Sequence, residues 1–155
     1  MHLDNPTLYV LIGISGSGKS TYAEKLRLSK ELAVVSTDTI RQEMLGSEEN
    51  QSAGAEIFGC AYRRINQHLS CGQDVVFDAT NTTKRGRNQL LRAIEKPCKK
   101  VAVLLTPPLD VALAQNIKRL RNVPESVVRR QYAQLIRDGE SILDQFKNIC
   151  FVKGE

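Results

Sequence analysis

The sequence predicts an α/β fold, a short parallel sheet with helices on both faces. Two patterns predict it. Short runs rich in Val, Leu and Ile alternate along the chain with stretches of helical periodicity. The runs are also almost continuously apolar, as strands buried on both faces are, rather than alternating in polarity. A third observation concerns where the polar residues fall. Gly13–Ser20, Thr37–Asp38, Asp78–Asn81 and Thr106 all follow the carboxyl ends of expected strands, the rim where such sheets bind ligands.

The elements follow in order. "LYVLIGI", Leu8 to Ile14, reads as a buried strand. In "KSTYAEKLRLSK", Tyr22, Ala23 and Leu26 share one helical face. "LAVVST", Leu32 to Thr37, is a second strand, followed by one or two helical turns in "TIRQEML". "GSEENQS", Gly46 to Ser52, is polar and reads as a loop. A longer helix is expected over Ala53 to Leu69, with Phe58, Ala61, Ile65 and Leu69 as its apolar stripe. "DVVFDAT" is a third strand, and "KRGRNQLLRAIE" a helix whose start Gly86 weakens. "KKVAVLLT", Lys99 to Thr106, is a fourth strand, ended by Pro107 and Pro108. Leu109, Leu113, Ile117 and Leu120 mark the apolar side of the next helix. Pro124 suits the first position of a new helix through "ESVVRRQYAQLIRD", with Val128, Tyr132 and Leu135 on one face. "NICFVKG" closes with a short strand.

Composition bounds the function. The 155 residues favour a single domain, residues 1–155, and suffice for a core without staples. No linker or internal repeat breaks the chain. With 41% hydrophobic and 25% charged residues, the balance is that of a globular protein. No apolar stretch is long enough to span a bilayer, and "MHLDNPT" lacks the pattern of a signal peptide, so the expectation is a cytoplasmic protein with no membrane partner. The net charge of +5 suits an anionic ligand without establishing nucleic-acid binding. Cys60, Cys71, Cys98 and Cys150 form no C-x-x-C pair. His68 and Cys71 make at most half a zinc site, so reduced, mostly buried thiols are expected.

The chemistry is announced by "GISGSGKSTY". Gly13, Gly18, Lys19 and Ser20 fill G-x-x-x-x-G-K-[ST] between an expected strand and an expected helix. A chance match in a chain this size is roughly one in two hundred. The small residues Ser15, Gly16 and Ser17 let backbone N–H groups converge on a phosphate, and the following helix aims its positive end at the same point. Lys19 is expected on the β- and γ-phosphates of ATP and Ser20 on Mg²⁺. With Thr21 these residues make the expected nucleotide site. A dinucleotide fingerprint does not fit, because the G-x-G-x-x-G order is absent.

Phosphoryl transfer also needs a group that orients the nucleophile and positive charge over the moving phosphoryl. Asp38 either faces an acceptor hydroxyl, with Arg41 one turn later, or caps a helix. Asp78, ending an apolar strand, either holds Mg²⁺ or is a turn residue. Asn81 and Thr80 either contact substrate or, for Asn81, cap the next helix. Lys118, Arg119 and Arg121 sit at a proline-marked break that reads as a helical lid or as a solvated helix end.

"GISGSGKSTYAEKL", "STDTIRQEM", "DATNTTKRGR" and "NIKRLRNVPESVVRRQY" resemble, in order, the motifs of the P-loop polynucleotide 5′-hydroxyl kinases, across residues 9–135. The resemblance implies a P-loop NTPase fold, ATP with Mg²⁺ as donor, and a nucleic-acid 5′-OH end as acceptor. It implies Asp38 as general base, Arg41 on the acceptor phosphate and Arg119 as the lid arginine on the γ-phosphate. The chain departs from the family at Ala79, where the family has Asp directly before Thr-Asn, and at Thr39, where it has a second Asp. The same module resembles small-metabolite kinases of the gluconate and shikimate type. A nucleotide-binding regulatory module with little catalysis is the remaining alternative.

Overall fold

A computed structural model describes residues 5–46, 54–119 and 123–152. Five strands, β1 Thr7–Ile12, β2 Ala33–Ser36, β3 Val75–Asp78, β4 Lys99–Leu105 and β5 Asn148–Val152, form one sheet in the order β2-β3-β1-β4-β5. Every pairing is parallel. The helices are α1 Lys19–Lys30, α2 Thr37–Leu45, α3 Gly54–Ser70, α4 Lys84–Ala93, α5 Leu109–Lys118, α6 Glu125–Asp138 and α7 Ile142–Gln145. This is the expected α/β architecture of a P-loop kinase fold. From β1 the chain runs to one side of the sheet, returns through β3, then crosses to the other side. The order therefore reverses at β1, and a crevice opens at its carboxyl end.

Two apolar layers hold the sheet. On one face α3 lays Ile57, Ala61, Ile65 and Leu69 against Leu8, Val10, Ile12, Val75 and Phe77. The expected stripe is one residue off at its start: Ile57 is buried, and Phe58 is half-buried on the shoulder of the helix. On the other face Ala23 of α1 and Leu32 meet Leu11, Val76 and Val103. A third cluster joins Ile14 to Ala112 of α5 and Val128 of α6, with Tyr132 and Leu135 packed against it. The apolar side chain of the glycine-rich loop is thus a plug for the helix pair that follows β4.

Several boundaries differ from the sequence reading. β1 ends at Ile12, two residues early, because Gly13 N donates to Thr80 O and the chain turns into the loop. Thr37 begins α2 rather than ending β2, since Ser36 caps that helix by accepting from Thr39 N. In α5 the buried residues are Ala112 and Asn116, while Ile117 is 68% exposed. That face meets the glycine-rich loop, where a small residue and an amide fit and a branched side chain does not. The thiols are also less buried than expected: Cys60 and Cys98 are intermediate, Cys71 and Cys150 exposed. No metal cluster occurs among the described residues, and no helix among them is long and apolar enough to cross a membrane. The expected loop residues 47–52, Ala53, Leu120 and Arg121 lie outside the described residues.

Sequence reading missed a buried hub at the end of β3. Arg87 is fully buried and donates to Asn81 O at 2.7 Å, Asp138 O at 2.7 Å, Ser141 Oγ at 2.9 Å and Gln145 Oε1 at 2.7 Å. Burial pulls its pKa below the usual arginine value. Asn81 stands in the left-handed region, φ 50°, and its Nδ2 donates to Leu11 O at 2.8 Å. The amide therefore clasps the ends of β1 and β3 together. It neither caps α4, which Thr83 does by accepting from Gly86 N, nor faces the cavity.

Arg87→Met should destabilise the fold by about 1–3 kcal/mol, because the buried Asn81 carbonyl loses its donor while the Asp138 carbonyl keeps the Ser141 hydroxyl. Urea unfolding checks this. A loss below about 1 kcal/mol would mean that water replaces the four bonds.

Candidate active site

The glycine-rich loop leaves β1 and enters α1 with its backbone committed to an inward curve. Gly16 has φ +85°, and a Cβ there would lie 2.1 Å from Ala112 O, so no side chain fits. Gly18 has φ +95° in open space, a purely conformational demand. It is the N-cap residue of α1. No side chain caps that helix, and its first turn holds no acidic residue. The helix end with its free N–H groups is available to an anion.

Around the loop lies a cavity of about 580 Å³, lined by Ser15, Gly16, Ser17, Gly18, Lys19, Ser20 and Thr21 on one wall. Gly13 is not on this wall; it is buried behind it, its N–H bonded to Thr80 O, so it shapes the loop rather than facing the cavity. Asp38, Arg41 and Phe58 line the α2–α3 side, and Arg119, Gln115 and Gln131 the α5–α6 side. The structure therefore brings together Lys19, Ser20, Asp38, Arg41, Asp78 and Arg119 from four separated segments of the chain.

The charges are tightly interdependent. Lys19 Nζ donates to Ile14 O at 2.9 Å, folding the ammonium back over the loop. Burial lowers its pKa to about 8, opposed by the negative charges of Asp78 and Asp38 and reinforced by Arg119. Asp78 is 8% exposed and accepts from Ser20 Oγ at 2.9 Å. Burial raises its pKa, while Lys19, the Ser20 hydroxyl and Arg119 draw it down and Asp38 pushes it up. Both Asp38 and Arg119 thus act on the two groups at the base of the cavity. Asp38 pairs with Arg41 at 3.2 Å, and Arg41 is buried with its Nε lacking a partner. Ser17 Oγ is likewise buried and unpartnered. Buried polar atoms without partners are uncommon, and here they lie beside a cavity.

The donor set fits a nucleotide and a hard cation. A hydroxyl and a carboxylate, Ser20 and Asp78, are oxygen ligands of the kind Mg²⁺ takes, and Mg²⁺ completes such sites with phosphate and water.

Two glutamines that sequence reading missed tie α6 to this site. Gln131 Oε1 accepts from Ser15 N at 2.8 Å, and Gln134 Oε1 accepts from Thr82 Oγ1 at 2.7 Å. Their spacing on α6 is the only signal that could have found them. Asn116 had a clearer one, a polar residue one turn after Ala112.

Sheet order, loop and cavity define a P-loop kinase fold. A family model described as an AAA domain matches residues 8–137, and the chain belongs to that family. The chain is 28% identical to the L-seryl-tRNA(Sec) kinase of Methanococcus maripaludis, over 85% of this chain and 53% of that protein. Its fold is similar to a chain of the Pnkp1/Rnl/Hen1 RNA repair complex, with TM-score 0.80 and 21% identity, covering 90% of this chain and 47% of that one. It is also similar to a gluconokinase from Sinorhizobium meliloti 1021, with TM-score 0.62 and 18% identity, covering 98% and 85%. The chain spans about half the length of the curated relative and of the RNA-repair chain.

The lowered Lys19 pKa carries a signed expectation. Phosphates favour the ammonium, so binding raises a pKa that stands near 8 in the empty site. At about pH 9 much of Lys19 is uncharged when empty and must take up a proton on binding ATP, so affinity falls as pH rises through this range. Calorimetry in buffers of different ionisation enthalpy should detect that uptake, and Lys19→Met should abolish it. Identical heats across buffers for the unaltered protein would contradict the assignment.

Proposed function

We propose that this chain moves the γ-phosphoryl of ATP to an acceptor hydroxyl, and that the acceptor is the 5′-OH of a polynucleotide or nucleoside-type substrate. One observation carries the transfer reading. Asp38 lines the cavity across from the phosphate loop and acts electrostatically on both Lys19 and Asp78. In this reading Asp38 takes the acceptor's proton as the new O–P bond forms. The bond from the γ-phosphorus to ADP breaks, and ADP leaves. Lys19, the loop N–H groups and Arg119 stabilise the charge on the phosphoryl oxygens. Ser20 and Asp78 would hold Mg²⁺, which supplies further neutralisation of the phosphates when bound.

The acceptor wall supports the nucleotide-type substrate. Arg41 offers a buried Nε without a protein partner, suited to a phosphate. Phe58 beside it is held edge-on to Phe77, with ring centroids 6.4 Å apart, and presents apolar surface suited to a base. The names of two similar proteins, an L-seryl-tRNA(Sec) kinase and a chain of an RNA repair complex, both mention RNA, which supports a nucleic-acid-type substrate without specifying the hydroxyl. A small-metabolite acceptor is the second reading, favoured by the gluconokinase, whose length the chain nearly matches.

γ-Labelled ATP offered with 5′-OH oligonucleotides, tRNA and metabolite pools tests the acceptor. Label on an oligonucleotide end is expected. Label on a metabolite would favour the second reading, and no transfer at all would leave a nucleotide-binding module. For the carboxylates, Asp38→Asn should slow transfer by about 10²–10⁴ with ATP affinity almost unchanged. Asp78→Asn should be partly rescued by raised Mg²⁺. Rescue of Asp38→Asn instead would exchange their roles.

A further inference from the structure

We infer that Asn116 is a positioning residue for Arg119, setting the height of that guanidinium over the phosphate loop. The inference rests on the reading above in which Arg119 acts on the moving phosphoryl.

Arg119 stands one residue past the end of α5, in extended backbone with φ −74° and ψ 150°. The regular helix no longer fixes it. Asn116 holds the chain on both sides of it. The backbone carbonyl of Asn116 accepts from Arg119 N at 3.3 Å. Its side chain donates through Nδ2 to Val123 O at 2.6 Å and accepts through Oδ1 from Val123 N at 3.1 Å. One residue therefore bonds both described ends of the connection between α5 and α6, Arg119 on one side and Val123 on the other.

The base of that loop is anchored to the phosphate site. Asn116 is 3% exposed, and its Cβ lies 3.1 Å from where a Cβ on Gly16 would stand. Ala112, one turn earlier, abuts the same glycine through its carbonyl. From the loop backbone, two close-packed contacts lead to α5, and Asn116 there holds Arg119 by one hydrogen bond and Val123, four residues on, by two. Only a short amide can do this. It presents a donor and an acceptor in one plane, matched to the C=O and N–H of a single residue. Asp lacks the donor, and Leu or Ala lacks both.

A residue that merely staples the helix pair would change stability and leave the kinetics of a folded protein alone. A positioning residue changes turnover through Arg119. The test is a double-mutant cycle between Asn116 and Arg119. The rates to measure are single-turnover γ-phosphoryl transfer from MgATP to a 5′-OH oligonucleotide and, in parallel, release of inorganic phosphate to water. Thermal midpoints accompany each variant. Asn116→Leu keeps buried volume while removing both side-chain bonds, and stands beside Asn116→Ala in case the smaller residue fails to fold.

Either substitution should lower kcat by about 10- to 100-fold, the cost of a misplaced catalytic group, with little change in the KM for ATP. In the Arg119→Ala background the same substitution should cost nothing further. Equal losses in both backgrounds would overturn the inference, as would unaltered kcat in a folded Asn116→Leu protein. If Arg119→Ala alone leaves both rates intact, the assignment of Arg119 falls and this inference falls with it. If the oligonucleotide takes no label, the acceptor reading fails, and phosphate release to water still reads the coupling.

Discussion

At Gly16 the phosphate loop passes so close to the Ala112 carbonyl that a single methyl group would have to displace α5. Much of the site depends on that approach. It lets Ile14 enter the small core shared with Ala112 and Val128, and it brings Gln131 within reach of Ser15 N. The loop is therefore the joint between the sheet and the α5–α6 pair as well as a cradle. The pair carries Arg119, so the distance between that arginine and the loop is a matter of backbone packing. Interiors packed at such density do not deform gradually, and a change at the joint is felt at the far side of the cavity.

The second constraint is electrostatic. Lys19 is half-buried and Asp78 buried, and the partial loss of water moves each toward its uncharged form. Each charge is partly sustained by the other, and Arg119 favours ionised Asp78 while opposing charged Lys19. Such an arrangement becomes more favourable when anionic oxygens approach Lys19 and Arg119. The unpartnered Ser17 hydroxyl and Arg41 Nε belong to the same pattern. Polar atoms held without partners around a cavity are preorganised for a ligand that supplies them.

The two walls of the cavity are built differently. One consists of loop backbone and one lysine, whose geometry follows from the β1–α1 connection. The other consists of side chains from α2 and α3, among them Asp38, Arg41 and Phe58. A fold of this kind can keep the first wall and change the second without disturbing the sheet, and in the function proposed above it is the second that meets the acceptor.

Local signals were legible in the sequence. The parallel sheet, the order of elements and the phosphate loop follow from patterns confined to a few residues, because apolar runs and glycine spacing act over one turn or one strand. The sequence places Lys19, Ser20, Asp38 and Asp78 on one rim for the same reason, since parallel strands present all their carboxyl ends together; that Arg41 and Arg119 also face that cavity is decided by how α2 and α5 pack. What the tertiary structure decided was the role of polar residues whose partners are distant in sequence. Ser36, not Asp38, caps α2, a contact only three residues long that the strand pattern concealed. Asn81 clasps Leu11, Arg87 ties α4 to the end of α6, and Gln131 reaches Ser15. On α5, Leu109 and Leu113 pack as the apolar stripe predicts, but toward its end Asn116 is buried and Ile117 exposed, because the surface it meets there is a glycine loop rather than a sheet. An amide or guanidinium has several donors and no preferred direction along the chain. Its partner is set by whichever backbone the fold brings alongside, and that is a property of the packed chain alone.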